Sequence, residues 1–269
     1  MGEKAEPILK WAGGKRQLLS ELLPLVPNYT GKYIEPFLGG GAMFFALSPE
    51  NAVLSDCNEE LISLYKAIKK DPINVINELQ SYVNCEEEYY RVRGFDWKSL
   101  SEFEAAARMI FLNKTCYNGL YRVNLHGGFN VPYGKNTKTQ FCNPEQIFAA
   151  SNALKKKKLL CADYKKVLQK YAEPGDFIFL DPPYYQVTER ETFLRYTSGR
   201  FYGNDQEELA ELVNDLYDKG CHLMITNSNH PKLYELYKRF DIKVVQVRRA
   251  VNCKGNGRRG EDTIITAFH

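Results

Sequence analysis

Tyr33-Ile34-Glu35-Pro36-Phe37-Leu38-Gly39-Gly40-Gly41 runs from a short apolar stretch into three consecutive glycines, and Ala42-Met43-Phe44-Phe45 follows at once. An apolar run closed by an acid reads as a buried strand. The glycines let the backbone turn tightly and approach a ligand, and the apolar quartet opens a helix. Strand, turn and helix in that order begin an α/β sheet. The next apolar run, Ala52-Val53-Leu54, leads to Asp56. A carboxylate at that strand end can hold the ribose hydroxyls of a nucleoside. The glycines alone read equally as a tight turn. With Asp56 after them they favour a nucleoside site, and leave open whether its ligand is a nicotinamide or a methyl donor.

The same rhythm continues along the chain. Leu159-Leu160, Phe177 to Leu180, Leu223-Met224-Ile225, Val244-Val245 and Ile264-Ile265 each read as a buried strand, and Glu35, Asp56, Asp163, Asp181 and Asn227 gather at strand ends. Helical patterns cover Glu59 to Lys70, Gln206 to Lys219 and Pro231 to Phe240, with Asp205 as an N-cap and Gly220 as a stop for the second. Ligands of such sheets sit beyond the carboxyl ends of the strands, where these polar residues are expected. The alternation breaks between Pro72 and Gln146. Glu104 to Lys114 reads as a helix, but Tyr117 to Gly134 is dense in Asn, Gly, Tyr and Arg and reads as a hairpin or exposed loop. The expected organisation is a sheet domain over residues 1–71 and 147–269, interrupted by a smaller module over 72–146.

Composition narrows the class. A net charge of +3 is too small to demand a nucleic acid, so the placement of basic runs (Lys155 to Lys158, Lys165-Lys166, Arg248-Arg249, Arg258-Arg259) matters more. Seven scattered cysteines lack the short spacing of a metal site and read as reduced thiols, so no metal is expected. No apolar run reaches the roughly 20 residues that span a bilayer, and Glu3, Lys4 and Glu6 do not resemble a secretory signal. A cytoplasmic protein with no membrane partner is expected. Nothing in the sequence sets an oligomeric state.

Asp176-Phe177-Ile178-Phe179-Leu180 feeds into Asp181-Pro182-Pro183-Tyr184-Tyr185. Consecutive prolines hold the chain extended and cannot donate hydrogen bonds. The Asp181 carboxylate and the Pro182 carbonyl are therefore presented as acceptors at the strand's mouth, with the flat face of Tyr184 beside them. A planar base bearing an exocyclic amine fits that set. Its lone pair is delocalised into the ring, and acceptors on both hydrogens favour rehybridisation toward an electrophile, so positioning and electrostatics suffice. No cysteine need act as a nucleophile.

Taken together, these segments resemble the Dam-type adenine-specific DNA methyltransferases over nearly the whole chain. The matching motifs are Pro7 to Lys15, Glu35 to Gly41, Asp56, Tyr117 to Arg122 continuing to Phe129 to Pro132, and Asp181 to Tyr184. The resemblance implies a Rossmann-like S-adenosylmethionine-dependent sheet and an inserted, mainly helical target-recognition domain bearing a β-hairpin. It implies that Trp11, Lys15, Asp56 and Asp181 contact S-adenosylmethionine, that Glu35, Phe37, Gly39 and Gly41 line its pocket, and that Asp163 meets its adenine. It implies that Lys10, Asn118, Leu120, Arg122, Asn124 and Pro132 face double-stranded DNA, with adenine in GATC as the target. Arg122 can contact guanine with two hydrogen bonds, and Leu120 suits an exposed apolar wedge that aids base flipping. Lys135 and Arg91 or Arg93 are candidate phosphate contacts. The segments Gln186 to Asn204 and Val251 to Gly260 match less tightly; the first could close over the site and the second could touch DNA.

Other readings remain at this level. A D-P-P-Y element also suits a cytosine amine, an RNA base or a protein glutamine, and a DNA-binding relative without catalysis is a further class. The intact glycine turn, Asp56 and Asp181 weigh against the latter. A nicotinamide dehydrogenase lacks a strand-end acid for hydride transfer.

Overall fold

The computed structural model describes residues 5–11, 13–124, 127–185, 203–248 and 259–269. Thr188, Arg190, Arg195 and Arg200, like Arg249, Cys253 and Arg258, lie outside the described residues. The strands are β1 (Tyr33–Glu35), β2 (Ala52–Asp56), β3 (Lys158–Cys161), β4 (Phe177–Leu180), β5 (His222–Ser228), β6 (Asp241–Arg248) and β7 (Arg259–Ala267). The helices are α1 (Leu19–Leu22), α2 (Ala42–Leu47), α3 (Glu59–Lys70), α4 (Pro72–Gln80), α5 (Glu86–Arg93), α6 (Glu102–Thr115), α7 (Pro144–Leu154), α8 (Tyr164–Tyr171), α9 (Gly203–Asp218) and α10 (Pro231–Leu236).

The strands form a 7-stranded sheet in the order β3-β2-β1-β4-β5-β7-β6. Strands β2 and β3, β1 and β4, and β4 and β5 pair in parallel, whereas β7 runs antiparallel to both β5 and β6. Chain order turns outward from β1 in both directions, which makes the carboxyl ends of β1 and β4 a switch point of the kind where α/β sheets bind ligands. Burial explains the parallel strands: every residue of β1 and β4 is buried, as continuous apolar runs require when both faces are covered.

The chain divides into two compact units, Met1–Leu19 with Leu38–Tyr164, and Ser20–Phe37 with Lys165–His269. In the first, α3 is bounded as its sequence predicts. Asn58 accepts a hydrogen bond from the Leu61 amide (3.1 Å), acids fill the first turn, and Lys69 and Lys70 fill the last. Its buried face carries Leu61, Leu64, Tyr65 and Ile68 at helical spacing. Helix α6 opens on a reciprocal capping box between Ser101 and Glu104 and buries Arg108, Phe111 and Asn113. In the second unit Asp176, 1% exposed, accepts from the Lys32 and Glu173 amides and pairs with the Lys32 ammonium at 2.8 Å. That network fixes the entry to β4.

Two sequence expectations shift. Asp205 is not an N-cap, because α9 begins at Gly203; the acid sits in the first turn, where it complements the helix dipole. The helix expected to reach Phe240 stops at Leu236, since Tyr237 leaves the helical region and the chain must straighten into β6 at Asp241. Gly220, with φ +98°, ends the turn after α9 as expected.

Candidate active site

In the first unit the glycine turn is built around an indole. Gly39 and Gly41 adopt φ of +47° and +67°, in the left-handed region. A Cβ on Gly39 would lie 2.8 Å from Trp11 Cδ1 and Nε1, and one on Gly40 would lie 3.0 Å from Trp11 Cβ. The turn therefore packs directly on Trp11, which remains half-buried. The Gly39 amide donates to Asp56 Oδ2 (2.9 Å) and the Asn58 amide to Asp56 Oδ1 (2.9 Å). Burial pushes the Asp56 carboxyl above its ordinary range, and these amide bonds pull it back. Lys15, 4% exposed, donates to the Gly13 carbonyl at 2.6 Å. A flat aromatic wall, a backbone turn with no room for side chains and a carboxylate at the strand end fit a nucleoside with ribose hydroxyls. Asp163 is exposed beyond the end of β3.

In the second unit the D-P-P-Y turn is braced from several sides. Thr226 Oγ1 donates to Asp181 Oδ1 at 2.9 Å. The Tyr184 hydroxyl donates to Asp262 Oδ2 at 2.5 Å, which fixes the ring against β7. Gln206 Nε2 donates to the Pro183 carbonyl (2.7 Å), Asn227 Nδ2 to Gln206 Oε1 (3.2 Å), and the Tyr185 amide to Asn227 Oδ1 (2.9 Å). The Pro183 carbonyl is thus occupied, while among the described residues no hydrogen bond engages the Pro182 carbonyl. Glu35 is buried and accepts from the Tyr33 hydroxyl at 2.8 Å. Burial, then the Glu35 charge, drives the Tyr33 phenol well above its usual range, so it stays a donor. Phe37 is half-buried. The sequence singled out Asn227 but not Thr226, Gln206 or Asp262. A polar residue inside an apolar strand, as Thr226 is, was the available signal.

The hairpin is real but lightly laddered. Cys116 bridges to Tyr133 and Val123 to Phe129, and the Tyr117 amide donates to Pro132 O, Asn130 to Arg122 O, and Asn124 to Gly128 O. Asn118 is exposed at φ +55°, Lys135 is exposed at φ +57°, and Pro132 and Asn124 are exposed. The Arg122 guanidinium bonds Asn130 Oδ1 (2.7 Å) and Asn130 O (3.1 Å). Leu120 corrects an expectation: it is half-buried rather than exposed, because the turn at Gly119 folds its backbone against Cys116. Arg91 pairs with Glu88, and Arg93 donates to Val131 O, so both have protein partners. Lys10 is exposed, yet its backbone is clamped: its amide donates to Asn113 Oδ1 (2.8 Å) and its carbonyl accepts from Asn113 Nδ2 (2.7 Å).

Strand order, the antiparallel β7 and the acids at the strand ends define a Rossmann-like methyltransferase sheet. Residues 11–251 match the D12 class N6 adenine-specific DNA methyltransferases, and the chain belongs to that family. It is 38% identical to the type II methyltransferase M.MjaIII of Methanocaldococcus jannaschii, covering 95% of this chain and 96% of that one. It is 38% identical to the type II methyltransferase M1.LlaDCHI of Lactococcus lactis subsp. cremoris, over 97% and 95% of the two chains. It is 31% identical to the DNA adenine methylase of Escherichia coli K12, over 99% and 96%. The chain is an adenine-specific DNA methyltransferase, with DNA as substrate and the Dam-type resemblance upheld. Among the described residues no cluster could hold a metal ion and no helix is long and apolar enough to cross a membrane.

Proposed function

We propose that this enzyme methylates the exocyclic amine of adenine within GATC in duplex DNA, using S-adenosylmethionine and a base flipped out of the stack. The observation that carries the reading is the D-P-P-Y turn: the Pro183 carbonyl is occupied by Gln206, whereas among the described residues no hydrogen bond engages that of Pro182, beside the Asp181 carboxylate. S-adenosylmethionine, when bound, supplies an electrophilic methyl group on a sulfonium. Asp181 and the Pro182 carbonyl accept the two amine hydrogens and draw the nitrogen lone pair out of conjugation. Tyr184, anchored by Asp262, provides a platform for the flipped ring. Trp11, Lys15, Gly39, Gly41, Asp56 and Asp163, with Glu35, Phe37 and Asp181, hold the methyl donor. Lys10, Asn118, Leu120, Arg122, Asn124, Pro132 and Lys135 meet the DNA, and residues 72–146 act as the target-recognition domain.

The test is transfer of labelled methyl from S-adenosylmethionine to duplexes that contain GATC or a scrambled site. Incorporation at N6 of the GATC adenine is expected. Equal labelling of both duplexes would refute the target, and no labelling of any DNA would refute the reaction. The type II relatives keep a second reading open, in which the same chemistry serves another short sequence; mapping methylated positions in cellular DNA separates the two.

A further inference from the structure

Tyr121 sits in the hairpin immediately before Arg122, yet its side chain turns inward. Its ring stacks on Trp11, with centroids 5.2 Å apart and planes at 27°. Its hydroxyl donates to Glu60 Oε2 at 2.9 Å and also meets the Asn58 side chain. Asn58 is the residue whose amide holds Asp56. The other Glu60 oxygen accepts from Arg108 Nη1 at 2.8 Å, and Arg108, 2% exposed, donates its remaining groups to the Val92 and Arg93 carbonyls. Burial, then the Glu60 charge, raises the Tyr121 phenol far above its ordinary range, so it remains a donor at any working pH. One hairpin side chain thus touches the indole that the glycine turn packs on and the acid beside the N-cap that holds Asp56.

We infer that Tyr121 is a positioning residue that couples the two ligands: DNA engaged by the hairpin and the methyl donor seated against Trp11 bind cooperatively through it. The inference rests on Trp11 and Asp56 being walls of the methyl-donor site. Linkage makes the coupling reciprocal, so target DNA tightens the cofactor site by the factor by which cofactor tightens DNA. The ring stack positions Trp11, and the hydroxyl bridge to Glu60 and Asn58 carries hairpin movement to Asp56.

Calorimetry with S-adenosylhomocysteine, alone and in the presence of a duplex that the wild-type enzyme methylates, tests this. The wild type is expected to bind the nucleoside more tightly when the duplex is present. Tyr121→Ala is expected to weaken binding about tenfold, the scale of an aromatic stack with its buried area, and to lose the enhancement by DNA. Tyr121→Phe keeps the stack, so its DNA-free affinity should stay near wild type while the enhancement falls. Matched thermal unfolding and matched affinity for nonspecific duplex exclude a folding defect; if Tyr121→Ala fails to fold, Tyr121→Phe decides. A Tyr121→Phe enzyme with full enhancement overturns the inference. A wild type that methylates DNA but shows no enhancement also overturns it, while the proposed function stands. A wild type that does not bind S-adenosylhomocysteine sinks the cofactor reading and the inference together.

Discussion

At the scale of single residues, geometry turns the catalytic element into a set of separable roles. In the proposed reaction Asp181 accepts one of the amine hydrogens, so Asp181→Ala should cost at least about 10²–10³ in kcat with the fold intact; single-turnover transfer and a thermal melt check this. Asp262 anchors the Tyr184 hydroxyl, so on the proposed reaction Asp262→Asn should lower kcat less than Asp181→Ala while cofactor affinity holds. A further residue reports on the electrostatics of the N-terminal arm. Burial, then the charges of Lys10 and Arg16, pulls the Lys114 ammonium down to about 8. An unfolded lysine titrates near about 10.4. Between those values the unfolded chain binds the extra proton, so this group's contribution makes stability rise with pH; below about 8 the charged amine is a full penalty. Lys114→Met should therefore be more stable than wild type at about pH 7, with the gap narrowing by about pH 9.5. Melting curves at the two pH values measure it, and a gap that ignores pH contradicts the assignment.

At the scale of elements, β1 and β4 were legible because they are continuous buried runs, whereas β6, expected to be buried at Val244-Val245, ends the sheet and buries Val245 but leaves Val244 exposed; α3 was legible to both ends because Asn58 caps it and lysines close it. What was hidden had a non-local cause. Strand β7 reads like its neighbours in isolation, and its antiparallel direction follows from pairing with β5 and β6, which sequence period does not encode. The same holds for the site. Asp181, Tyr184 and the glycine turn declare themselves through dense local motifs, whereas Asp262 and Gln206 lie far along the chain from the turn they brace. The hairpin shows both cases, since its turn residues were readable but the inward seat of Tyr121 was not. Arg122 belongs to this element, and its guanidinium rests on Asn130. Arg122→Ala should cost about 1–3 kcal/mol of discrimination between target and nontarget duplex, with nonspecific affinity much less affected. Competition binding with single-base variants of the site checks it.

At the scale of the whole molecule, the first compact unit is assembled from separated stretches, Met1–Leu19 with Leu38–Tyr164. The thiols of the two units give a simple readout of which parts are sealed. Cys57 and Cys161 are exposed, whereas Cys116 and Cys221 are buried with thiols pushed up to about 11. Aromatic disulfide reagent should label the exposed pair rapidly and leave the buried pair until unfolding, with peptide mapping to identify the sites; early labelling of Cys116 would mean that the hairpin base opens. The clamps around that base matter in another way. Arg108 has its counter-ion in Glu60, outside residues 72–146, and Asn113 grips both backbone groups of Lys10. A contiguous fragment of residues 72–146 would carry a buried guanidinium with no carboxylate and a carboxamide with no Lys10 backbone to hold. On the proposed role of the hairpin, transplanting its specificity between relatives would mean moving Lys10, Trp11 and Glu60 with it, because the unit of exchange is a set of contacts rather than a stretch of chain.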